Sequence, residues 1–380
     1  MNPDHHDHQI TRSDPDRIHG DILESILAHV SLIDLVPACL VSRSWHLAVT
    51  SSLSLSLSPI KPWLLFHTHN LLSSASSTAA FDPRTRSWLR LHHHQRPNPI
   101  TGCSNLQFSI TPSKLSFSTD PLRLRWRHIA PPPTWRIDPL IAFVGDAIVV
   151  AGGGSEYVDD PLAVEVYYPD SGDYSDSGRW EAVQSMPVVL KDSAAPTWLA
   201  VAATGDKMLV TEKATGLTYV FSPVTKCWTG PHNIGPVHHF FSYCTIASYG
   251  SQAVFAALIG QANELKKLKL WRVAIDGDDI RLIEPPIGEV PMELTEEVIG
   301  SISVMICDGF VFVYNAEEPE TVVYGEIGGG GVVDGWESVR NVVWKEKKIM
   351  ERVVVGVGKV GFGDLQRAVW QGQLAFEEML

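Results

Sequence analysis

Phe81-Asp82-Pro83-Arg84-Thr85-Arg86-Ser87-Trp88 and Phe221-Ser222-Pro223-Val224-Thr225-Lys226-Cys227-Trp228 are two copies of one pattern, F-x-P-x-T-[RK]-x-W. Tyr168-Pro169-Asp170 through Arg179-Trp180 is the same unit with a longer turn, and Trp126, after Arg123-Leu124-Arg125, is a weaker copy. Trp271 and Trp336 extend the series. The intervals from Trp88 to Trp336 are 38, 54, 48, 43 and 65 residues. Their mean is close to the roughly 50 residues of one four-stranded propeller blade. A single blade cannot bury both of its faces, so neighbours must pack around an axis, and a large flat Trp fills the space between them.

Around these copies, short apolar runs alternate with turn residues. Leu140–Val144, Ala147–Ala151, Met208–Thr211, Phe310–Tyr314 and Val353–Val357 are examples. Such runs predict strands, and helical periodicity nearly vanishes after residue 62. Residues 148–180 give one full blade order: Ile148-Val149-Val150-Ala151, then Gly152-Gly153-Gly154, Tyr167-Tyr168 and Trp180. The expected structural residues are therefore Gly152, Gly153, Tyr168, Trp88, Trp180 and Trp228. The stretch from 62 to about 365 holds about six blades at that period. The late run at Arg352–Val357 is expected to close the ring.

The N-terminal part reads differently. Residues 1–17 are polar and rich in His and Asp, and are expected to be a disordered tail. Ile22, Leu23, Ile26, Leu27 and Val30 share one helical face, with a start at Gly20–Asp21 that places a carboxylate at the positive end of the helix dipole. Ser31 with Asp34 three positions on reads as an N-cap, and Val41 to Val49 as a third helix. The alternating Ser and Leu of residues 50–58 predict a strand leading into the second domain. The expected class is mainly β: a three-helix unit over 18–56, a propeller over 62–365 and a C-terminal tail over 366–380.

Residues 18–45 resemble an F-box. Ile18-His19-Gly20-Asp21-Ile22-Leu23-Glu24-Ser25-Ile26-Leu27, Val30-Ser31, Asp34-Leu35 and Val41-Ser42-Arg43-Ser44-Trp45 follow its pattern. The usual opening Leu-Pro is Ile18-His19 here. An F-box followed by degenerate kelch blades is similar to the plant F-box/kelch-repeat proteins, and Gly361-Phe362-Gly363-Asp364-Leu365-Gln366 looks like that group's C-terminal signature. The resemblance implies a substrate receptor of an SCF ubiquitin ligase. Its F-box would bind a Skp adaptor, and through it a cullin, while its propeller holds a protein for ubiquitination. Some plant members recruit enzymes of secondary metabolism, which gives one target class. The resemblance implies adaptor-binding roles for Ile18, Ile22, Leu23, Ile26, Leu27, Leu35, Val41 and Trp45. Leu23, Ile26, Leu27 and Trp45 serve equally as the core of a small bundle. The alternatives are a scaffold uncoupled from degradation, or a propeller that binds a small molecule.

Composition narrows the classes. Net charge is −13, with 12 Lys+Arg against 9 Asp+Glu in residues 1–130 and 18 against 34 in residues 131–380. The larger, acidic part would repel a nucleic acid backbone and favours a partner with a basic face. No run reaches the roughly 18 apolar residues of a membrane helix, and no signal peptide is expected. Five scattered cysteines without C-x-x-C point to reduced thiols, so the expected setting is cytoplasmic or nuclear. Gly356-Val357-Gly358-Lys359-Val360-Gly361 is literally G-x-G-x-x-G, but too few residues follow for a dinucleotide fold. His92-His93-His94 and the Asp159-Asp160 and Asp276–Asp279 pairs read as solvated loops and turns. No catalytic residue, cofactor or metal ligand is expected.

Overall fold

The computed structural model describes residues 20–55, 61–70, 76–91, 101–103, 106–120, 122, 125–153, 160–170, 178–237, 239–261, 266–277, 279–292, 294, 302–343, 351–370 and 377–379. The expected tail over 1–17, Ile18, His92-His93-His94 and Asp159 lie outside them. The chain forms two compact units, one up to Pro59 together with Gly361–Gln366, the other Ile60–Val360 with Arg367–Leu380.

The first unit holds helices α1 (Asp21–Leu27), α2 (Leu32–Ala38) and α3 (Arg43–Leu55). Helix α1 begins where its acidic first turn suits the dipole, buries Leu23 and Leu27 one turn apart, and packs on α3. Helix α2 is capped as its sequence suggests: Asp34 N donates to Ser31 Oγ at 3.2 Å, and Ser31 Oγ donates to Asp34 Oδ2 at 2.7 Å. The strand expected over 50–58 is instead helical as far as Leu55. Thr50 Oγ1 donates to His46 O, Ser52 Oγ to Val49 O and Ser54 Oγ to Ser51 O. Such back-bonding lets hydroxyl residues continue a helix whose Ser-Leu alternation mimics a strand.

The second unit is a six-blade β-propeller. Blade 1 starts with β1 (Trp63–Asn70), β2 (Ser76–Asp82) and β3 (Ser87–Leu91). Blade 2 is β4 (Thr101–Cys103), β5 (Leu106–Thr111), β6 (Lys114–Ser118) and β7 (Arg127–Ile129). Blade 3 is β8 (Leu140–Val144), β9 (Ala147–Ala151), β10 (Val164–Tyr168) and β11 (Arg179–Val183). Blade 4 is β12 (Leu199–Thr204), β13 (Lys207–Glu212), β14 (Leu217–Ser222) and β15 (Cys227–Asn233). Blade 5 is β16 (Phe241–Tyr249), β17 (Gln252–Ile259), β18 (Lys267–Asp276) and β19 (Asp279–Glu289). Blade 6 is β20 (Ile302–Cys307), β21 (Phe310–Asn315), β22 (Thr321–Ile327) and β23 (Val333–Arg340).

Strand β24 (Glu351–Gly358) then returns to blade 1 and pairs with β1, from Trp63↔Gly358 to Asn70↔Glu351. The glycines of the G-x-G-x-x-G stretch are therefore partly strand residues. Beyond them lie helix α4 (Phe362–Trp370) and β25 (Glu377–Met379), which adds a fifth, outer strand beside β3. The boundary expected at 365/366 falls inside α4.

The innermost strands β4, β8, β12, β16, β20 and β24 touch in sequence around a closed ring. Antiparallel order gives the propeller two distinct faces. One, the crossover face, carries the turns between second and third strands and the connections between blades. The other, the turn face, carries the remaining hairpin turns, the entry at Trp63 and the exit at Gly358.

The repeated motif is a third-to-fourth-strand hairpin. Phe81 pairs with Trp88 and Phe221 with Trp228, their ring centroids 5.2 and 5.1 Å apart. Arg86 and Lys226 occupy the same left-handed turn position, at φ 58° and 60°. In blade 3 the partner of Trp180 is Tyr167, not the expected Tyr168. Tyr168 lies on the opposite side of the strand, and its hydroxyl donates to Pro223 O of blade 4 at 2.7 Å.

Each Trp of the series in a strand packs in the apolar cluster shared with the preceding blade. Trp88 lies with Phe312 of blade 6, Trp228 with blade 3, Trp336 with blade 5, and Trp180 with blade 2. Trp271 belongs to β18, a third strand, which shortens one interval and lengthens the next. Trp126 precedes β7 rather than lying in it.

Apolar clusters occupy the interfaces 2/3, 3/4, 4/5, 5/6 and 6/1. Between blades 1 and 2, strand alternation turns Trp63, Leu65, Ala80, Leu89 and Leu91 together with His67, His69 and Thr78 from one side, and Gln107, Ser109, Ser116 and Ser118 from the other, all buried. His67 Nδ1 lies 2.7 Å from Thr78 Oγ1. Both polar atoms of the Gln107 amide lack a partner among the described residues. Gln107→Leu should therefore stabilise the protein by about 1–3 kcal/mol, the cost of an unsatisfied buried group. Chemical denaturation reads this as a higher midpoint; a lower one would show that the amide is bonded.

Candidate functional site

Two surfaces are candidates, one in each unit. In the helical unit the expected adaptor-binding residues divide. Ile22 and Ile26 are 66% and 48% exposed, whereas Leu23, Leu27 and Leu35 are buried. Val41 is exposed and Trp45 half-buried, its backbone N–H bonded to Ser42 Oγ at the start of α3. Leu23, Leu27 and Leu35 are thus buried within the chain, the core role that the sequence also allowed Leu23 and Leu27. Periodicity marks an apolar stripe without showing which half is covered. Leu40 and Leu47 are also exposed, beside Val41 and on α3. The unit is cross-linked by polar contacts. Cys39 Sγ lies 2.8 Å from His46 Nδ1, and Gln366 Nε2 donates to the same sulfur at 3.6 Å. Burial raises the Cys39 pKa.

In the propeller, the inner strands enclose a central cavity of about 350 Å³. Its polar lining is chiefly hydroxyl, from Thr101, Thr245, Ser248 and Ser303. Among the described lining residues the charged side chain is Lys213, whose Nζ donates to Pro196 O at 2.7 Å and to Thr197 O at 3.3 Å. Tyr243 donates its hydroxyl to Ile302 O, and burial raises its pKa far above the ordinary value. Burial likewise pushes the neighbouring Cys244 thiol up to about 12. Burial thus favours the protonated form of both groups. Among the described residues, no His, Cys, Asp or Glu cluster could hold a metal ion. Cys39 and Cys244 are buried and unbridged, while Cys227 is exposed on β15.

The most elaborate polar site lies on the crossover face, and the sequence did not announce it. Arg136, on the connection from β7 to β8, is 1% exposed. Its Nε and Nη2 donate to Glu165 Oε2 at 3.3 and 3.0 Å. Its Nη1 donates to Gly152 O and Ala163 O, both at 2.7 Å. The other carboxylate oxygen of Glu165 accepts from Thr134 N and Oγ1. The expected diglycine completes this clamp. Gly152 and Gly153 have φ of 65° and 67°, and a Cβ on Gly153 would lie 2.7 Å from Ile137 O. Ile137 N donates to Gly153 O, and Gly153 N to Ala194 O, so three connections are tied together. The surrounding Pro131-Pro132-Pro133-Thr134-Trp135-Arg136 was the available signal, marking a loop but not its distant acid.

Arg136→Met should cost about 3–5 kcal/mol, because it strands a buried carboxylate. The double variant Arg136→Met/Glu165→Leu should recover most of that loss in thermal denaturation. A double variant no better than the single one would show that the clamp acts through its carbonyl bonds alone.

The F-box domain family matches residues 17–57. An F-box/kelch-repeat protein of Arabidopsis thaliana is 36% identical over 378 residues, covering 94% of this chain and 94% of its own length. Similar solved structures include YjhT, at 10% identity and TM-score 0.39, over 65% of this chain and 84% of that one. Another is the Myceliophteria thermophila Cps50 (Swd1) β-propeller domain, at 13% identity and TM-score 0.35, over 69% and 80%.

Proposed function

The chain belongs to the F-box/kelch-repeat family, and we propose that it is the target-recognition subunit of an SCF-type ubiquitin ligase. Its F-box docks a Skp adaptor and, through that, a cullin. Its propeller holds a protein target, for which an enzyme of plant secondary metabolism is one candidate class. The chain performs no chemistry itself; it works by proximity, raising the effective concentration of target lysines at a charged conjugating enzyme. We place it in the cytoplasm, the nucleus or both.

The observation that carries this reading is the exposure of Ile22, Ile26, Leu40, Val41 and Leu47 within a separate small helical unit. Large apolar side chains left uncovered on so small a unit mark a protein interface.

Capture of a purified Skp adaptor by the full chain tests the reading. Wild type should bind, and Ile22→Glu/Ile26→Glu should weaken binding by about a hundredfold or more, as expected for two interface anchors. Both residues are exposed, so the variant should keep its circular dichroism and melting midpoint. Absent wild-type binding, or equal binding by a folded variant, would overturn the adaptor assignment.

A further inference from the structure

Seven large hydrophobics exposed on the propeller lie on three consecutive connections of the crossover face. Trp135 and Ile137 flank the buried Arg136 on the first. Val188, Val189 and Trp198 lie on the second, and Val237 and Phe240 on the third. The turn face exposes Val224 and Val332. These connections are not slack. Arg136 is fixed to Glu165, and Lys213 holds the carbonyls of Pro196 and Thr197 just before Trp198. Trp198 O accepts from Lys213 N, and Lys213 O from Cys244 N. Apolar side chains on pre-organised loops bind at low entropic cost.

Charge on the same face leans acidic. Three of its cations are turned inward: Arg136 to Glu165, Lys213 to carbonyls, and the buried Lys266 to Ser242 Oγ. Among the described residues of these connections and turns, Asp138, Asp192, Glu317, Glu318 and Glu320 are exposed, against Lys191, while Lys114, Arg340 and Lys267, the last paired with Glu289, are exposed at the strand ends beside them. Glu317, Glu318 and Glu320 line a cavity of about 550 Å³ that also meets Met292 and Val323. An apolar base under acidic walls fits the stem and head of a Lys or Arg side chain. Asn341 anchors this loop, its N–H to Glu320 O and its amide to Pro319 O. A second cavity, of about 310 Å³, opens beside Val188 and Val189, with Tyr219 and Trp228 in its lining.

We infer that the crossover face from blade 2 to blade 6 is the target-docking surface, and that it takes a protein segment with apolar anchors in a basic surround. This inference deepens the receptor reading and rests on it. The aromatic and aliphatic loops receive the anchors, and the Glu317–Glu320 recess receives a cation. A second copy of the chain is disfavoured as occupant, since both partners would bring the same exposed acids. An anionic membrane is disfavoured for the same reason.

A displayed random-peptide library selected on the full chain tests this directly. Selected peptides should carry net positive charge and at least one large apolar residue. Their affinity should fall about tenfold or more in Trp135→Ala/Trp198→Ala, as for anchor residues. It should also fall between about 50 and about 500 mM salt, and less so in the Glu317→Gln/Glu318→Gln/Glu320→Gln variant. Val224→Ala, on the turn face, should change nothing. Neutral or acidic peptides, or peptides indifferent to the Trp variant, would overturn the inference. So would concentration-dependent dimerisation abolished by the same Trp changes. Skp capture by the same preparation keeps the two readings apart. Lost capture with intact peptide binding sinks the ligase reading, and the reverse result sinks only the docking surface.

Discussion

Eight residue pairs between β1 and β24, from Trp63↔Gly358 to Asn70↔Glu351, join chain segments that lie at opposite ends of the propeller sequence. The rest of the architecture depends on this one ladder. Without it blade 1 would lack its innermost strand, the inner ring would stay open, and the cluster shared by Phe66, Trp88, Phe312 and Tyr324 would lose β24. Contacts of such sequence separation are entropically costly to form, and the packing of the blades on either side offsets that cost. The seam beside it mixes polar and apolar groups. His67, Thr78, Gln107 and Ser109 are buried there together with Trp63, Leu65 and Leu91. The most non-local ladder of the ring therefore adjoins an interface that buries hydrogen-bonding side chains among apolar ones.

Much of the fold was legible because one residue type does one job at a fixed period. A Trp opposite an aromatic in a hairpin faces the preceding blade, and Phe81/Trp88 and Phe221/Trp228 keep that geometry with nearly identical turns. The pattern blurred where the job moved to another strand, as with Trp271, or where the aromatic pair slipped by one residue, as with Tyr167 and Tyr168. A one-residue shift reverses a strand's faces, and sequence without a register cannot show it. The Ser-Leu run after Thr50 failed for a different reason. Its period suited a strand, but hydroxyls bonding back to the preceding turn made helix equally available.

The candidate surfaces were only half legible. Apolar periodicity placed Ile22, Leu23, Ile26 and Leu27 on one stripe of α1, yet the helix is covered over Leu23 and Leu27 and open over Ile22 and Ile26. Which flank is covered depends on where α3 packs, a tertiary fact. The Arg136–Glu165 clamp was invisible for the same reason. Its partners lie 29 residues apart, and neither belongs to a motif.

Net charge alone also misleads about the crossover face, because it counts cations that are already committed. Arg136, Lys213 and Lys266 serve the fold, each holding a carboxylate, carbonyls or a hydroxyl. Using these three cations as internal struts fixes the loops and keeps the same side chains from neutralising the exposed acids. The same three side chains thus produce both properties a selective receptor needs: a fixed apolar display, and a field that rejects partners of the wrong sign. Weakening a strut would soften the display and alter the local charge together, so stability and selectivity on this face are not independently variable.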